Sequence, residues 1–199
     1  MLAELMKRYD GSIDSIRTIP NLWVKDGKTT HRNPLSGLLS EKELSGLPAA
    51  DRSIYETCGA LKRSPFKSIW TSRGCPHACS YCFNDSYNRI YRGLGKIFRQ
   101  RSVESVIEEI EALKPYGWKC LNIVDDQLLA DRSWVESFCD SYAREIGMPF
   151  HCAAIARQIT PPVAKKLKAA GCKAVYFGIE SGVERIRREM YKKTTTNED

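Results

Sequence analysis

Three features of the chain predict an α/β protein built on a parallel sheet that curls toward a barrel. From Phe66 onward, short apolar runs suited to buried strands alternate with segments of helical period, and four such strand–helix units follow one another. Parallel neighbours need a crossover of this kind, and the right-handed rule for crossovers bends the sheet toward closure. The conspicuous polar residues also fall where the strands end. A cysteine run follows the first strand, Asp125 and Asp126 the second, Arg157 the third, and Glu180-Ser181-Gly182 the fourth. Functional groups gather at the carboxyl ends of the strands in a (β/α) barrel.

Residues 1–9 have the pattern of the last turns of a helix. Asn21-Leu22-Trp23-Val24-Lys25 and Lys28-Thr29-Thr30 then flank Asp26-Gly27, a dipeptide that favours a two-residue hairpin turn because both central positions need positive φ. From Asn33 to about Pro65, Pro34, Pro48 and Pro65 stand among polar residues and short apolar patches, which predicts a connector with one or two brief helical turns. Residues 1–65 are thus expected to form a hairpin and connector, and residues 66–199 the strand–helix domain.

The first strand is expected near Lys67 to Thr71. Ser102 can cap a helix in which Val103, Val106, Ile107, Ile110 and Leu113 keep the helical period, ending before Pro115 and Gly117. Lys119 to Asp125 holds the second strand. Ser133 with Glu136 can form a capping box for a helix facing inward with Trp134, Val135, Phe138 and Tyr142. Phe150 to Ile155 is the third strand. Thr160 then caps a helix with Pro161 in its first position, Val163, Leu167 and Ala170 toward the core and Gly171 at its end. Lys173 to Ile179 is the fourth strand, and Val183 through Met190 a fourth helix with Val183, Ile186 and Met190 on one side. Gly93-Leu94-Gly95 lacks a preceding strand and a third glycine, so it reads as a loop rather than a dinucleotide fingerprint.

At 199 residues the chain can hold one sizeable core and a small appendage. No apolar run is long enough to span a bilayer, so membrane insertion is not expected and a cytoplasmic location is. A formal charge of +7 admits an acidic or nucleic-acid partner. However, Arg185-Ile186-Arg187-Arg188 with Lys192-Lys193, and Lys165-Lys166 with Lys168, fall at helical spacing and read as solvated helix faces, so nucleic acid is not supported.

The run Cys75-Pro76-His77-Ala78-Cys79-Ser80-Tyr81-Cys82 can aim three thiolates at one centre, and iron–sulfur clusters are bound by cysteines whose spacing labels their type. With three protein ligands, a four-iron cluster keeps one iron open. A structural zinc site usually takes four ligands in paired short spacings. Here only His77 and the distant Cys58 are candidates for a fourth. A disulfide framework is weaker still, because Cys58, Cys120, Cys139, Cys152 and Cys172 are scattered singly through apolar segments and read as small buried hydrophobes.

The cysteine run resembles the cluster motif of the radical S-adenosylmethionine (SAM) superfamily, C-x3-C-x2-C with an aromatic residue, here Tyr81, before the third cysteine. The resemblance implies a partial (β/α) barrel of the radical SAM type, with about four of six strand–helix units. It implies a [4Fe-4S] cluster on Cys75, Cys79 and Cys82 whose open iron takes the amino and carboxylate groups of SAM. One electron from a donor such as flavodoxin or ferredoxin then cleaves SAM to methionine and a 5′-deoxyadenosyl radical that abstracts hydrogen from a substrate, small or macromolecular. Gly178-Ile179-Glu180-Ser181-Gly182 looks like the strand-four segment in which a carboxylate or serine bonds SAM. On this resemblance Tyr81, Asp125, Arg157, Glu180 and Ser181 are the residues expected at the cofactors. For Glu180 the alternative is capping of the next helix, for Arg157 a salt bridge to Asp125 or Asp126, and for the aspartate pair a choice between accepting a proton and holding the loop. Tyr81 and Phe83 are expected to pack around the cluster.

Leu47-Pro48-Ala49-Ala50-Asp51-Arg52, the hairpin before it, Arg99-Gln100-Arg101-Ser102-Val103 and Asp125-Asp126 are similar to segments of the branch that carries an N-terminal cobalamin-binding domain. Almost nothing precedes the hairpin here, and the Asp-x-His-x-x-Gly segment that ligates cobalt in some such domains is absent, so cobalamin is expected only in a longer parent protein. With about 30 residues for each unit, two units of the superfamily core remain unbuilt, which predicts a fragment. The expected activity is reductive cleavage of SAM, with methyl transfer or a ring rearrangement as outcomes. The alternatives are a tRNA methylthiotransferase-like enzyme, a fragment that binds a cluster without turnover, and a zinc-binding interaction module.

Overall fold

A computed structural model describes residues 2–199, which divide into two compact units. The first runs to Leu38 and adds Tyr91–Gly95, and the second comprises Leu39–Ile90 with Lys96–Asp199.

In the first unit, helix α1 (Leu2–Arg8) precedes the antiparallel hairpin of β1 (Trp23–Asp26) and β2 (Thr29–Arg32). Asp26 pairs with Thr29, so the two turn residues are Gly27 and Lys28 rather than Asp26 and Gly27. Ile19 and Val24 are buried, and the side chain of Asn33 donates to the Ile19 carbonyl at 2.8 Å. The expected loop at Gly93-Leu94-Gly95 is present, and its Leu94 carbonyl accepts the backbone N–H of Leu38 at 2.7 Å.

The second unit begins with three short helices, α2 (Glu41–Ser45), α3 (Ile54–Thr57) and α4 (Gly59–Arg63), where one or two turns were expected. Ser40 and Glu43 form a capping box on α2. The stretch from Leu39 to Pro65 therefore belongs with the strand–helix part rather than with the hairpin. Polar bonds tie it there. Glu109 takes Arg52 at 2.7 Å and also Arg101, and Tyr55 packs edge-on against Tyr116 with ring centres 5.5 Å apart. Lys67 is only 2% exposed and donates its ammonium to the carbonyls of Leu61 and Ser64 at 2.7 and 3.0 Å.

The main sheet contains β3 (Phe66–Ile69), β6 (Cys120–Ile123), β7 (Phe150–Ala153) and β8 (Cys172–Tyr176), all parallel and in chain order. A two-residue antiparallel ladder of β4 (Ser72–Arg73) and β5 (Arg99–Gln100) follows β3, with α5 (Phe83–Ile90) between its strands in sequence. The crossovers between sheet strands carry α6 (Val103–Glu111), α7 (Arg132–Glu145) and α8 (Pro161–Ala169). Ile69, Leu121, Ile123 and Phe150 from the sheet meet Val106 and Ile110 of α6, Phe138 and Tyr142 of α7 and Leu167 of α8 in one core. Each such large apolar side chain, once buried, contributes about 1.5–3 kcal/mol. This is the α/β half-barrel that the alternation predicts.

Several local expectations change. Helix α7 is capped by Asp131, which accepts the N–H of Trp134 at 3.1 Å, while the Ser133 hydroxyl donates to the same carboxylate instead of capping. Trp134 is only partly buried, and its indole N–H donates to the Arg101 carbonyl at 2.6 Å. Cys120, Cys139 and Cys152 are buried as expected, whereas Cys58 and Cys172 are half-buried.

The fourth helix does not form as an amphipathic α-helix. Ile186–Met190 is a π-helical turn, and Val183 and Met190 are exposed. The buried residue is Arg187. Its guanidinium donates to the Ser181 carbonyl at 2.7 Å, the Thr195 carbonyl at 3.1 Å and the Asn197 side chain at 2.5 Å. The planar fork thus captures acceptors on both sides of the turn. Arg187 and Lys193 are thus buried, contrary to the expected solvated face, whereas Lys165 and Lys168 are exposed and Lys166 pairs with Asp140 at 2.6 Å. No helix among the described residues is long and apolar enough to cross a membrane.

Candidate functional site

The cysteine loop starts after β4, the two-residue strand that follows β3. Gly74, immediately before Cys75, has φ of +82°, and a β-carbon there would lie 2.3 Å from the Ile97 carbonyl oxygen, so both conformation and space require glycine. Behind the loop, Asn88 of α5 donates to the Cys75 carbonyl at 2.9 Å. In front of it, the backbone N–H of Ser80 donates to the Tyr191 carbonyl at 2.9 Å and the Ser80 hydroxyl to the Met190 carbonyl. The loop is held between its own helix and a segment 110 residues away.

Cys75, Cys79 and Cys82 line one cavity of about 520 Å³, within the usual range for small-molecule sites. His77, Asn84, Asp126, Gln127, Ala153 to Ile155, Tyr176 to Gly178 and Lys192 to Thr194 complete its wall. The cavity therefore collects the carboxyl ends of β6, β7 and β8 around the loop after β3, as barrel geometry predicts.

The aspartate pair divides its work. Asp125 is 3% exposed and accepts the backbone N–H of Thr71 at 2.7 Å, the Thr71 hydroxyl, and the Ser72 hydroxyl at 2.8 Å. Burial pushes its carboxyl upward, against the pull of those hydrogen bonds. Asp125 holds the loop, which is one of the two roles left open for the pair, and it does not line the cavity. Asp126 does.

The remaining expected cofactor contacts, Tyr81, Arg157, Glu180 and Ser181, are not among the residues that line the cavity. Arg157 is exposed, forms no ion pair among the described residues, and so makes no salt bridge to either aspartate. Its charge is felt by His77, whose imidazole is held below its ordinary pKa chiefly by burial and then by Arg157 and Lys193. Glu180 stands in a left-handed turn with φ of 67°, and its carboxylate lies 3.3 Å from the Lys193 ammonium. Tyr81 is half-exposed, its ring meets Tyr191 edge-on at 5.3 Å, and its hydroxyl bonds Glu180. Burial and then Glu180 raise the phenol's pKa, so it stays protonated. The Ser181 hydroxyl accepts the Val183 N–H at 3.1 Å, which makes it a turn residue. Phe83 is 70% exposed and packs on Tyr87 rather than closing over the thiols.

Three cavity residues carried no role in the sequence. Gln127 is 2% exposed, lines the cavity, and its carboxamide oxygen has no hydrogen-bond partner among the described residues. Leaving such a group unpaired costs about 1–3 kcal/mol, so it fits an occupant that donates to it. Its only sequence signal is its place directly after the aspartate pair. Lys193 is 9% exposed, donates to the Gly178 carbonyl at 2.5 Å, and was concealed within a basic cluster. Asn84 is buried beside Cys82.

Burial raises the pKa of the Cys75 and Cys79 thiols, with Lys193 pulling the other way on Cys79. Metal binding needs the thiolate form, so a metal taken up by these thiols would displace their protons. Among the described residues, no three His, Cys, Asp or Glu side chains are gathered closely enough to hold a single metal ion.

Two curated relatives cover most of the chain. An uncharacterized methyltransferase of Pyrococcus horikoshii is 35% identical over 177 residues, 86% of this chain and 36% of that protein. Cytidylyl-2-hydroxyethylphosphonate methyltransferase of Streptomyces wedmorensis is 28% identical over 177 residues, 83% of this chain and 32% of its own length. The chain thus spans about a third of the length of these relatives. Among solved structures, the radical S-adenosylmethionine methyltransferase TsrM from Kitasatospora setae superposes with a TM-score of 0.67 at 19% identity, covering 92% of this chain and 37% of the other, a likeness of fold. The family model of the radical SAM superfamily matches residues 70–199, from the end of the first sheet strand through all the cavity residues, and the chain belongs to that superfamily.

Proposed function

We propose that this chain carries the SAM-cleaving part of a radical SAM methyltransferase. The observation that supports it is the single cavity shared by Cys75, Cys79, Cys82, Asp126, Gln127 and Lys193. On this reading the three cysteines hold a [4Fe-4S] cluster, and SAM occupies the cavity beside it. The cluster, reduced by a flavodoxin- or ferredoxin-type donor, would supply the one electron that breaks a carbon–sulfur bond of SAM.

The protein's own work is positional. Gln127 accepts a hydrogen bond from an amino or hydroxyl group of the bound molecule. Lys193, fixed by Gly178 and Glu180, places a positive charge opposite its carboxylate, while Asp126 provides the opposite sign across the cavity. Arg157, which forms no ion pair among the described residues, adds a second carboxylate contact. Tyr81 braces Glu180, and Ala153, Ala154 and Ile155 form an apolar wall that limits water.

Both curated relatives are named as methyltransferases, which supports methyl transfer as the outcome. TsrM has been solved with cobalamin and a [4Fe-4S] cluster bound. Cobalamin enters this proposal only as a group held by parts of a longer protein, because no residue described above forms a site for it.

The test is anaerobic reconstitution with iron and sulfide, dithionite reduction with SAM, and chromatography for 5′-deoxyadenosine and S-adenosylhomocysteine. 5′-Deoxyadenosine that disappears in Cys79→Ala supports reductive cleavage. S-adenosylhomocysteine marks SAM as a methyl donor. A loaded chain that makes neither product refutes an active site within these 199 residues.

A further inference from the structure

We propose that Asn84 is a hydrogen-bond donor to the metal-bound sulfur of Cys82 and raises the reduction potential of the centre. The inference rests on the reading that Cys75, Cys79 and Cys82 hold an iron–sulfur cluster.

Asn84 stands in the first turn of α5, two residues after Cys82, and is 6% exposed. Its amide nitrogen lies 3.7 Å from the Cys82 sulfur, within reach of a long N–H···S bond, and its side chain makes no other hydrogen bond among the described residues. The residue also lines the cysteine cavity. The position is otherwise expensive, because burying a carboxamide costs free energy unless it is bonded, and a neutral thiol is a weak acceptor. A thiolate is a charged acceptor, and charge-assisted hydrogen bonds are roughly twice as strong. The bond therefore gains most of its strength when metal replaces the thiol proton.

A donor to a cluster sulfur acts differently on the two oxidation states. Adding one electron raises the negative charge on the sulfurs, so N–H···S stabilises the reduced form more and moves the potential upward. The electron comes from an external one-electron donor, dithionite in the experiment. The effect on the chemistry is indirect, through the cluster, so Asn84 is a positioning residue and not a catalytic one.

Asn84→Leu keeps the shape of the side chain and removes the donor. The whole chain is reconstituted anaerobically, its iron and sulfide are counted, and the midpoint potential is read by EPR during reductive titration. The expected result is unchanged iron content with the reduction equilibrium shifted about tenfold toward the oxidised form, equivalent to about 59 mV for a one-electron couple. An unchanged midpoint at full iron content overturns the inference. If Asn84→Leu fails to take up iron, the wild type labelled with ¹⁵N in its asparagine side chains decides. Pulsed EPR of the reduced centre should show a coupled ¹⁵N, and its absence overturns the inference. A wild-type chain that binds no iron overturns the cluster reading itself, and this inference with it.

Discussion

The carboxylate of Asp125 accepts the backbone N–H of Thr71 at 2.7 Å, joining the loop after β6 to the loop after β3. It also takes the hydroxyls of Thr71 and Ser72, so one buried side chain fixes the start of the segment that leads into Cys75. Its neighbour Asp126 faces the cavity instead.

Substituting the two aspartates should therefore separate folding from function. Asp125→Ala leaves the Thr71 and Ser72 donors unpaired and should cost about 3 kcal/mol in urea denaturation. Asp126→Asn should change stability by less than about 0.5 kcal/mol, as expected for an exposed site, while weakening SAM binding measured by calorimetry on the loaded protein. Equal losses of stability in the two variants would contradict this division.

Gly74→Ala tests the approach to the cysteine loop. The new methyl group meets the Ile97 carbonyl and the backbone keeps a positive φ, so the expected cost is about 3 kcal/mol, with reduced iron uptake on reconstitution. Gly93→Ala is the control. It shares a φ of 82° but meets nothing within 4 Å, and should leave iron uptake unchanged.

Glu109 sets a pH dependence. Burial opposes its ionisation, but the hydrogen bonds from Arg101 and Arg52 outweigh burial and hold its pKa below the usual carboxylate value of 4.5. For an acid with a lowered pKa in the folded state, the stabilisation is complete above the unfolded value and is lost as pH falls through the folded one. Denaturation midpoints should thus drop between about pH 5 and pH 3 in the wild type, and less steeply in Glu109→Gln. At pH 7 that variant should be about 3 kcal/mol less stable, because two nearly buried guanidinium groups lose their partner.

Arg187 should control the order of the last residues. Removing its bonds to Ser181, Thr195 and Asn197 in Arg187→Ala should speed hydrogen exchange across residues 191–197 and lower SAM affinity through Lys193. Arg187→Lys should recover little, since a point charge does not span acceptors on both sides of the turn. Unaltered exchange in both variants would show that the segment is held by other contacts.

Much of this architecture is legible in the sequence, because apolar period and turn chemistry are local. The core faces of α6 and α7 follow directly from Val106, Ile110, Phe138 and Tyr142. Cys75, Cys79 and Cys82 announce themselves by spacing alone. What escaped depends on contacts between distant residues. Ser133 satisfies the pattern of a cap, yet Asp131 reaches the Trp134 N–H first. Arg187 and Lys193 look like solvent charges until their carbonyl partners at Ser181, Thr195 and Gly178 are placed. Asp125 and Asp126 are indistinguishable as letters, and only the partners Thr71 and Ser72 assign the first inward and leave the second to the cavity. Gln127 gives no signal of its own, since an unpaired buried carboxamide is visible only once its neighbours are known.

The contact from Ser80 to Met190 spans 110 residues, and this separation bears on timing in the cell. At about 5–20 residues per second, a ribosome needs roughly 5–20 s to make the stretch between them. During that interval the cavity lacks Lys192 to Thr194 of its wall, which leaves the thiols more open to whatever delivers iron and sulfide. Once residues 190–195 emerge and fold back, delivery has to work through a narrower mouth. Thiol labelling of nascent chains stalled before and after this segment would register the change as slower reaction at Cys79. Early metal insertion and late closure would then be successive events in the birth of one molecule.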